Sequence, residues 1–103
     1  MSARRRRLVL KPRARQDLRN ALHYTRMRWG AEQHTEYKTL LYGAMRELVE
    51  HPGIGAARGE LCAGCRSRVA GQHIVYYRFG DEEVEVVRVL HARQDAAAEL
   101  SER

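Results

Sequence analysis

The fold of this chain is decided by a pair of segments, Ile74-Val75-Tyr76-Tyr77-Arg78-Phe79 and Val84-Glu85-Val86-Val87-Arg88-Val89-Leu90-His91. Both are rich in the β-branched and aromatic residues that favour strands, and the Gly80–Glu83 stretch between them predicts a turn. Pairing Phe79 with Val84 would place Arg78 opposite Glu85, and Val75 opposite Arg88. The more apolar face of this hairpin is then expected to meet helices, and it comprises Val75, Tyr77, Phe79, Val84, Val86, Arg88 and Leu90.

Two amphipathic helices are predicted before the hairpin. From Ala14 to Trp29 the residues Leu18, Leu22, Thr25 and Trp29 recur at helical spacing, with Pro12 in the first turn and Gly30 at the end. Trp29 is therefore expected in the core, with a stacking role as the alternative. A second helix is predicted from about Ala31 to Glu50, where an apolar stripe ends at Pro52-Gly53.

The remaining segments complete an α+β pattern. Strands are predicted at Leu8–Leu10 and Arg66–Val69, a long loop at 52–65, and a short helix at Asp95–Leu100 with Asp95 near its cap. The resulting order is βααβββ, in which a helical hairpin packs on a small, mainly antiparallel, twisted sheet. Residues 1–103 suffice for a single domain.

The charge of the chain predicts an anionic partner. Of its 19 basic residues only Lys11 and Lys38 are lysines, and the net charge is +6. Arginine suits bidentate contacts to phosphate or carboxylate, so nucleic acid and an acidic protein segment both remain candidates. The run Arg4–Arg7 is interpreted as a solvated start of the first strand, with a phosphate-contacting arm as the alternative. Because no long apolar stretch is present, we expect a cytoplasmic protein with no membrane partner.

Cys62 and Cys65 form the only CxxC motif. They are predicted to be loop thiols kept reduced in the cytoplasm. A zinc site completed by His51 and His73, or a regulatory disulfide, is the alternative, and no cofactor is predicted.

Six stretches resemble the ParE/RelE toxin superfamily, and its ParE branch in particular. They are Leu10–Ala14 with Asp17-Leu18, Arg28–Gly30, His51-Pro52 with Gly55 and Arg58, Arg66-Ser67, Val75–Arg78, and Arg88–Asp95. The resemblance spans residues 8–100. Lys11 departs from the usual Ser or Thr cap, and the two cysteines lie where members of the superfamily vary. The resemblance implies the toxin half of a type II toxin–antitoxin module, bound and neutralised in a hetero-oligomer by a cognate antitoxin.

The superfamily includes two modes of action. ParE-like toxins inhibit DNA gyrase without breaking bonds of their own, whereas RelE-like toxins cut mRNA on the ribosome. RNA cleavage needs acid–base groups and phosphate ligands, for which Arg68, Arg78 and His91 are the candidates. Ala92 follows His91 where such nucleases often have a tyrosine, so the set is incomplete.

The gyrase-inhibiting, non-enzymatic reading is therefore favoured. The ribosome-dependent nuclease, and a degenerate toxin acting only as an antitoxin-binding corepressor, are the alternatives. Target or antitoxin contacts are predicted at Arg66, Arg68, Arg88, His91 and Arg93. Structural roles compete for Arg78, expected to pair with Glu85, and for Arg88, which needs a partner if it is partly buried. For His91 the competing role is that of a histidine at a strand end with its hydrogen bonds satisfied.

Overall fold

The computed structural model describes residues 5–101. Its elements are β1 (Arg7–Leu10), α1 (Pro12–Trp29), α2 (Ala31–Glu50), a 3₁₀ turn (Pro52–Ile54), β2 (Ala56–Ala57), β3 (Arg66–Ala70), β4 (His73–Phe79), β5 (Glu83–His91) and α3 (Ala96–Leu100). The predicted α+β class and the helical hairpin are confirmed. Arg4, part of the predicted arginine run, lies outside the described residues.

The five strands form one mixed sheet in the order β1-β5-β4-β3-β2. β1 runs parallel to β5, and the other neighbours are antiparallel. The predicted pairs Phe79–Val84 and Arg78–Glu85 are confirmed. Arg78 Nε lies 2.7 Å from Glu85 Oε1, as the hairpin register required.

The predicted pairing of Val75 with Arg88 is wrong because β5 contains a bulge. Tyr77 pairs with Val86 but Tyr76 pairs with Arg88, so Val87 is an extra residue and Val75 faces Val89. An extra residue exchanges the two faces of a strand beyond it. Val89 therefore joins the core under the helices, while Arg88 and Leu90 fall on the opposite face.

The core lies between the helical hairpin and the sheet. α1 contributes Ala14, Leu18 and Leu22 to the core, and α2 contributes Leu41, Met45, Leu48 and Val49. These helix residues pack on the sheet residues Val75, Tyr77, Val84, Val86 and Val89. The prediction that Trp29 is a core residue is wrong, because its side chain is 63% exposed at the end of α1. The apolar stripe of α1 thus stops before its last turn.

The segment 52–65 is more ordered than the predicted loop. The 3₁₀ turn is followed by β2, which pairs with Arg66 and Ser67 of β3. Cys62 and Cys65 are joined by a disulfide, so the prediction of two reduced thiols is wrong for this structure. The Arg58 N–H donates to the Cys65 carbonyl at 2.7 Å and closes the same loop.

The predicted short helix is confirmed as α3, the last described element. Asp95 caps α3, since its carboxylate accepts the N–H groups of Ala97 and Ala98. Among the described helices, none is long and apolar enough to cross a membrane.

Candidate functional site

An ion pair at the edge of β5 connects the sheet to helices α1 and α3. β1 ends beside Val86, so the Val89 N–H has no strand partner on that side, and Asp17 of α1 accepts it at 2.9 Å. The same carboxylate accepts Arg88 Nε and Nη2 at 2.7 and 3.0 Å. Arg88 also pairs with Glu99 of α3 at 3.4 Å.

The electrostatics of this pair hold Arg88 in its charged form. Its side chain is only 9% exposed, and that of Asp17 is 12% exposed. Hydrogen bonding to Asp17 raises the pKa of Arg88 above its ordinary high value, against the opposing effect of burial. The predicted need of Arg88 for a structural partner is confirmed.

A histidine–tyrosine cluster lies at the open end of the β4–β5 hairpin. His73 pairs with His91 across the strands, and their ring centroids are 5.4 Å apart. Tyr37 of α2 reaches the cluster, with its hydroxyl 2.6 Å from His73 Nδ1. The Tyr37 oxygen also accepts the Gln72 N–H at 2.9 Å, which anchors the two-residue turn between β3 and β4. Gly71 in that turn has a φ of 61°, and a Cβ there would meet the Tyr37 ring.

Hydrogen-bond distances favour one tautomer of each neutral imidazole. The Tyr37 hydroxyl is much closer to His73 Nδ1 than to the Ala70 carbonyl, at 3.5 Å, so its proton lies toward the imidazole. His91 Nδ1 accepts the Arg93 N–H at 3.1 Å. In the neutral form, each ring then carries its own proton on Nε2.

Burial shifts the titration of this cluster. It lowers the pKa of His73, the nearby His91 lowers it further, and Asp17 opposes the change. Burial also raises the pKa of Tyr37, although hydrogen bonds from the backbone of Gln72 and His73 partly offset this. The neutral forms of both side chains are therefore favoured near neutral pH.

The lowered pKa predicts a loss of stability in mild acid. Above the ordinary histidine pKa of 6.5 His73 is neutral in both states, but below it the unfolded chain binds the proton first. The free energy of unfolding should thus fall as the pH drops from 6.5 toward the lowered folded pKa. Urea unfolding at a series of pH values measures this slope. His73→Gln should flatten it and the exposed His51→Gln should not; an unchanged slope in His73→Gln would contradict the prediction.

Two neighbouring cavities open beside the cluster. The first, of about 380 Å³, is lined by Asn20, Tyr24 and Gln94 together with the two histidines. The second, of about 410 Å³, shares Tyr24 and both histidines and extends to Trp29. The exposed aromatic side chains of α1 thus form a wall next to two imidazoles.

The described residues show no group of three or more His, Cys, Asp or Glu side chains that would hold a metal ion. The disulfide occupies both sulfurs that the zinc alternative required. His73, also proposed as a zinc ligand, is engaged with Tyr37 instead.

Comparison with known proteins gives the family. A family model described as "ParE toxin of type II toxin-antitoxin system, parDE" matches residues 8–96.

The chain belongs to the ParE toxin family.

Relatives of known name agree with this family. The chain is 41% identical over 91 residues to Toxin ParE1 of Caulobacter vibrioides, covering 88% of this chain and 94% of the relative. It is 37% identical over 95 residues to Toxin ParE1 of Mycobacterium tuberculosis, covering 91% and 97%. A solved structure titled "Chromosomal ParDE TA system from P. aeruginosa" has a TM-score of 0.71 at 17% identity, covering 84% of this chain and 95% of the other, and supports the fold.

The predicted contact arginines of this ParE toxin lie in different settings. Arg66 donates to the Gly55 carbonyl at 2.8 Å, and Arg68 lies 3.4 Å from Glu47 of α2. Arg88 is buried in its ion pairs, whereas Arg93 is exposed next to His91. Their roles in target or antitoxin binding stay predictions.

The three candidate nuclease residues are not brought together. Arg68 is held toward α2, while Arg78 pairs with Glu85 on the sheet face turned away from the helices. Arg78 is five residues along β4 from His73, the partner of His91, or roughly 17 Å at the rise of a strand.

Sequence reasoning missed three residues of the ParE toxin's histidine cluster and ion pair. Tyr37 is one member of the apolar stripe that predicts the second helix, which indicates no polar role for it, and His73 was considered only as a zinc ligand. Asp17 was quoted as part of a resembling stretch with no partner assigned. The available signal for Asp17 was Arg88, because a partly buried arginine in a central strand requires a carboxylate partner.

Proposed function

We propose that this ParE toxin acts in the cytoplasm, where it inhibits DNA gyrase and thereby arrests cell growth. A cognate antitoxin neutralises it. The family assignment supports the toxin role, and the P. aeruginosa relative is titled as a ParDE toxin–antitoxin system. A net charge of +6 suits an acidic antitoxin segment laid on the domain.

One observation supports inhibition of gyrase over cleavage of RNA. The nuclease candidates are dispersed, with Arg68 and Arg78 each in an ion pair and His91 accepting a backbone N–H at Nδ1. A neutral imidazole with its remaining proton on Nε2 has no free lone pair to act as a general base. A toxin that acts by binding requires no such base.

Expression without the antitoxin should induce a DNA-damage response, and the purified toxin should inhibit supercoiling by gyrase in vitro. Added antitoxin should restore both growth and supercoiling. Undiminished toxicity of His91→Ala would exclude an acid–base step at this residue. Rapid loss of translated mRNA without DNA damage would overturn the proposal in favour of the nuclease, and an absence of toxicity would favour the corepressor.

A further inference from the structure

The cavities beside His73 and His91 are lined by polar side chains that have hydrogen-bonding groups to spare. Imidazole and amide side chains line the first cavity. Their polar groups that have no partner within the protein are hydrogen-bond donors. Asn20 Oδ1 accepts a hydrogen bond from Gln16 at 2.9 Å, and Gln94 Oε1 accepts the His91 N–H at 2.7 Å. The NH₂ groups of Asn20 and Gln94 therefore remain available to donate to a ligand. Both imidazoles have Nδ1 engaged and Nε2–H remaining.

The carboxylate at this cavity is already neutralised. Asp17 lines the wall, but its oxygens accept two hydrogen bonds from Arg88 and one from the Val89 N–H. A ligand rich in acceptor oxygens would therefore meet donors and no free negative charge. Phosphate esters have this chemistry.

Exposed aromatic side chains stand next to these donors. Tyr24 and Trp29 are each 63% exposed and line the second cavity, which shares His73 and His91 with the first. Arg28 lies over the Trp29 ring, 5.4 Å from its centroid, and adds positive charge there. Aromatic faces beside phosphate-binding donors are the arrangement on which unpaired bases stack in single-stranded nucleic acid sites.

A basic stripe continues from the cavity along α1. Arg15, Arg19, His23 and Arg26 recur at spacings of four, four and three residues, so they share one side of the helix. All four are exposed, and within residues 5–101 no carboxylate forms an ion pair with the three arginines. A third cavity lies over this stripe and is lined by Arg19, His23 and Arg26. Asn20 lines both this cavity and the first one, so the two surfaces adjoin.

We propose that this surface binds single-stranded nucleic acid, with a base against Tyr24 and Trp29, a phosphate on the Nε2–H groups of His73 and His91, and the flanking backbone along the α1 arginines. The activity is binding without cleavage, since both imidazoles face the ligand as donors. It goes beyond gyrase inhibition and requires no second protein. A duplex keeps its bases stacked inside and therefore cannot fill the aromatic wall.

The test uses the purified chain of residues 1–103, whose single tryptophan, Trp29, reports on the site. Titration with a short single-stranded oligonucleotide should change Trp29 fluorescence at a lower concentration than the matched duplex or inorganic phosphate. DNA and RNA versions of the strand show which sugar is preferred, and saturable binding of either supports the proposal. Equal affinity for duplex and single strand would overturn it, as would fluorescence changes produced only by a polyglutamate peptide.

Variants separate the two parts of the surface. Measured by anisotropy of a labelled strand, Tyr24→Ala should weaken binding about tenfold through lost stacking. Arg19→Ala should reduce the slope of log affinity against log salt by about 0.7, the value for one phosphate contact on a single strand. Phe79→Ala and Arg7→Ala, which remove an aromatic ring and an arginine at the opposite end of the hairpin, are the matched controls. Thermal unfolding verifies that each variant is folded; equal losses in variants and controls would contradict the assignment.

Discussion

Asp17→Ala is expected to lower the free energy of unfolding by about 3–5 kcal/mol, because it removes one partner of a buried ion pair. Arg88, whose side chain is 9% exposed, would keep its charge with only the more distant Glu99 beside it. The Val89 N–H, which has no strand partner on this side, would lose its acceptor as well. Both penalties act in the folded state alone, so they add to the loss of the pair itself.

Urea unfolding followed by circular dichroism measures this change. Glu47→Ala, which breaks the exposed Arg68–Glu47 pair, is the control and should cost less than about 1 kcal/mol. The double variant Asp17→Ala/Arg88→Met should recover part of the loss, since an uncharged side chain no longer needs a partner. If Asp17→Ala and Glu47→Ala destabilise the protein equally, the Asp17–Arg88 pair does not stabilise the fold as argued.

Gly55→Ala is expected to cost about 3 kcal/mol through steric overlap. Its φ of −77° is open to any residue, so the cause is not backbone strain. A Cβ at this position would lie 2.6 Å from the Tyr77 hydroxyl and 2.7 Å from the Ser67 carbonyl oxygen. Tyr77 is fully buried, and its hydroxyl accepts the Gly55 N–H at 2.9 Å and donates to the Pro52 carbonyl at 2.7 Å.

Gly53→Ala is the matched control, because a Cβ there would meet nothing within 4 Å. It should leave the midpoint of thermal unfolding nearly unchanged, whereas Gly55→Ala should lower it by more than about 10 °C. Adding Tyr77→Phe to Gly55→Ala should not restore stability, since the Ser67 backbone still blocks the Cβ and the Pro52 carbonyl loses its donor. A midpoint for Gly55→Ala within error of Gly53→Ala would show that the 3₁₀ turn and β3 move apart at little cost.

His91 lies where the sequence predicted, at the end of the last strand, but its hydrogen bonds suit a different role from that of a nuclease histidine. At the end of the last strand it was the strongest candidate for an acid–base catalyst. The Arg93 N–H at its Nδ1 instead makes its Nε2 a donor, beside His73 and two exposed aromatic residues. We therefore propose that the same position supports recognition of a ligand and no cleavage.

The sequence by itself determined the elements, and through them the fold class. Both long helices were predicted because an apolar stripe with helical spacing and its Gly or Pro boundary are local features. The Arg78–Glu85 pair was predictable for the same reason, since it lies next to the turn that sets the register. Six short resemblances in the right order were sufficient to indicate the family that the comparison then showed.

The tertiary structure alone decided which distant side chains meet. Nothing in the alternation of β5 marks Val87 as a bulge, yet that extra residue turns Arg88 away from the core and Val89 into it. Asp17 and Arg88 are 71 positions apart, and Tyr37 and His73 are 36 apart. Such contacts depend on strand register and on how the helices pack across the sheet, and neither is a local property of the chain.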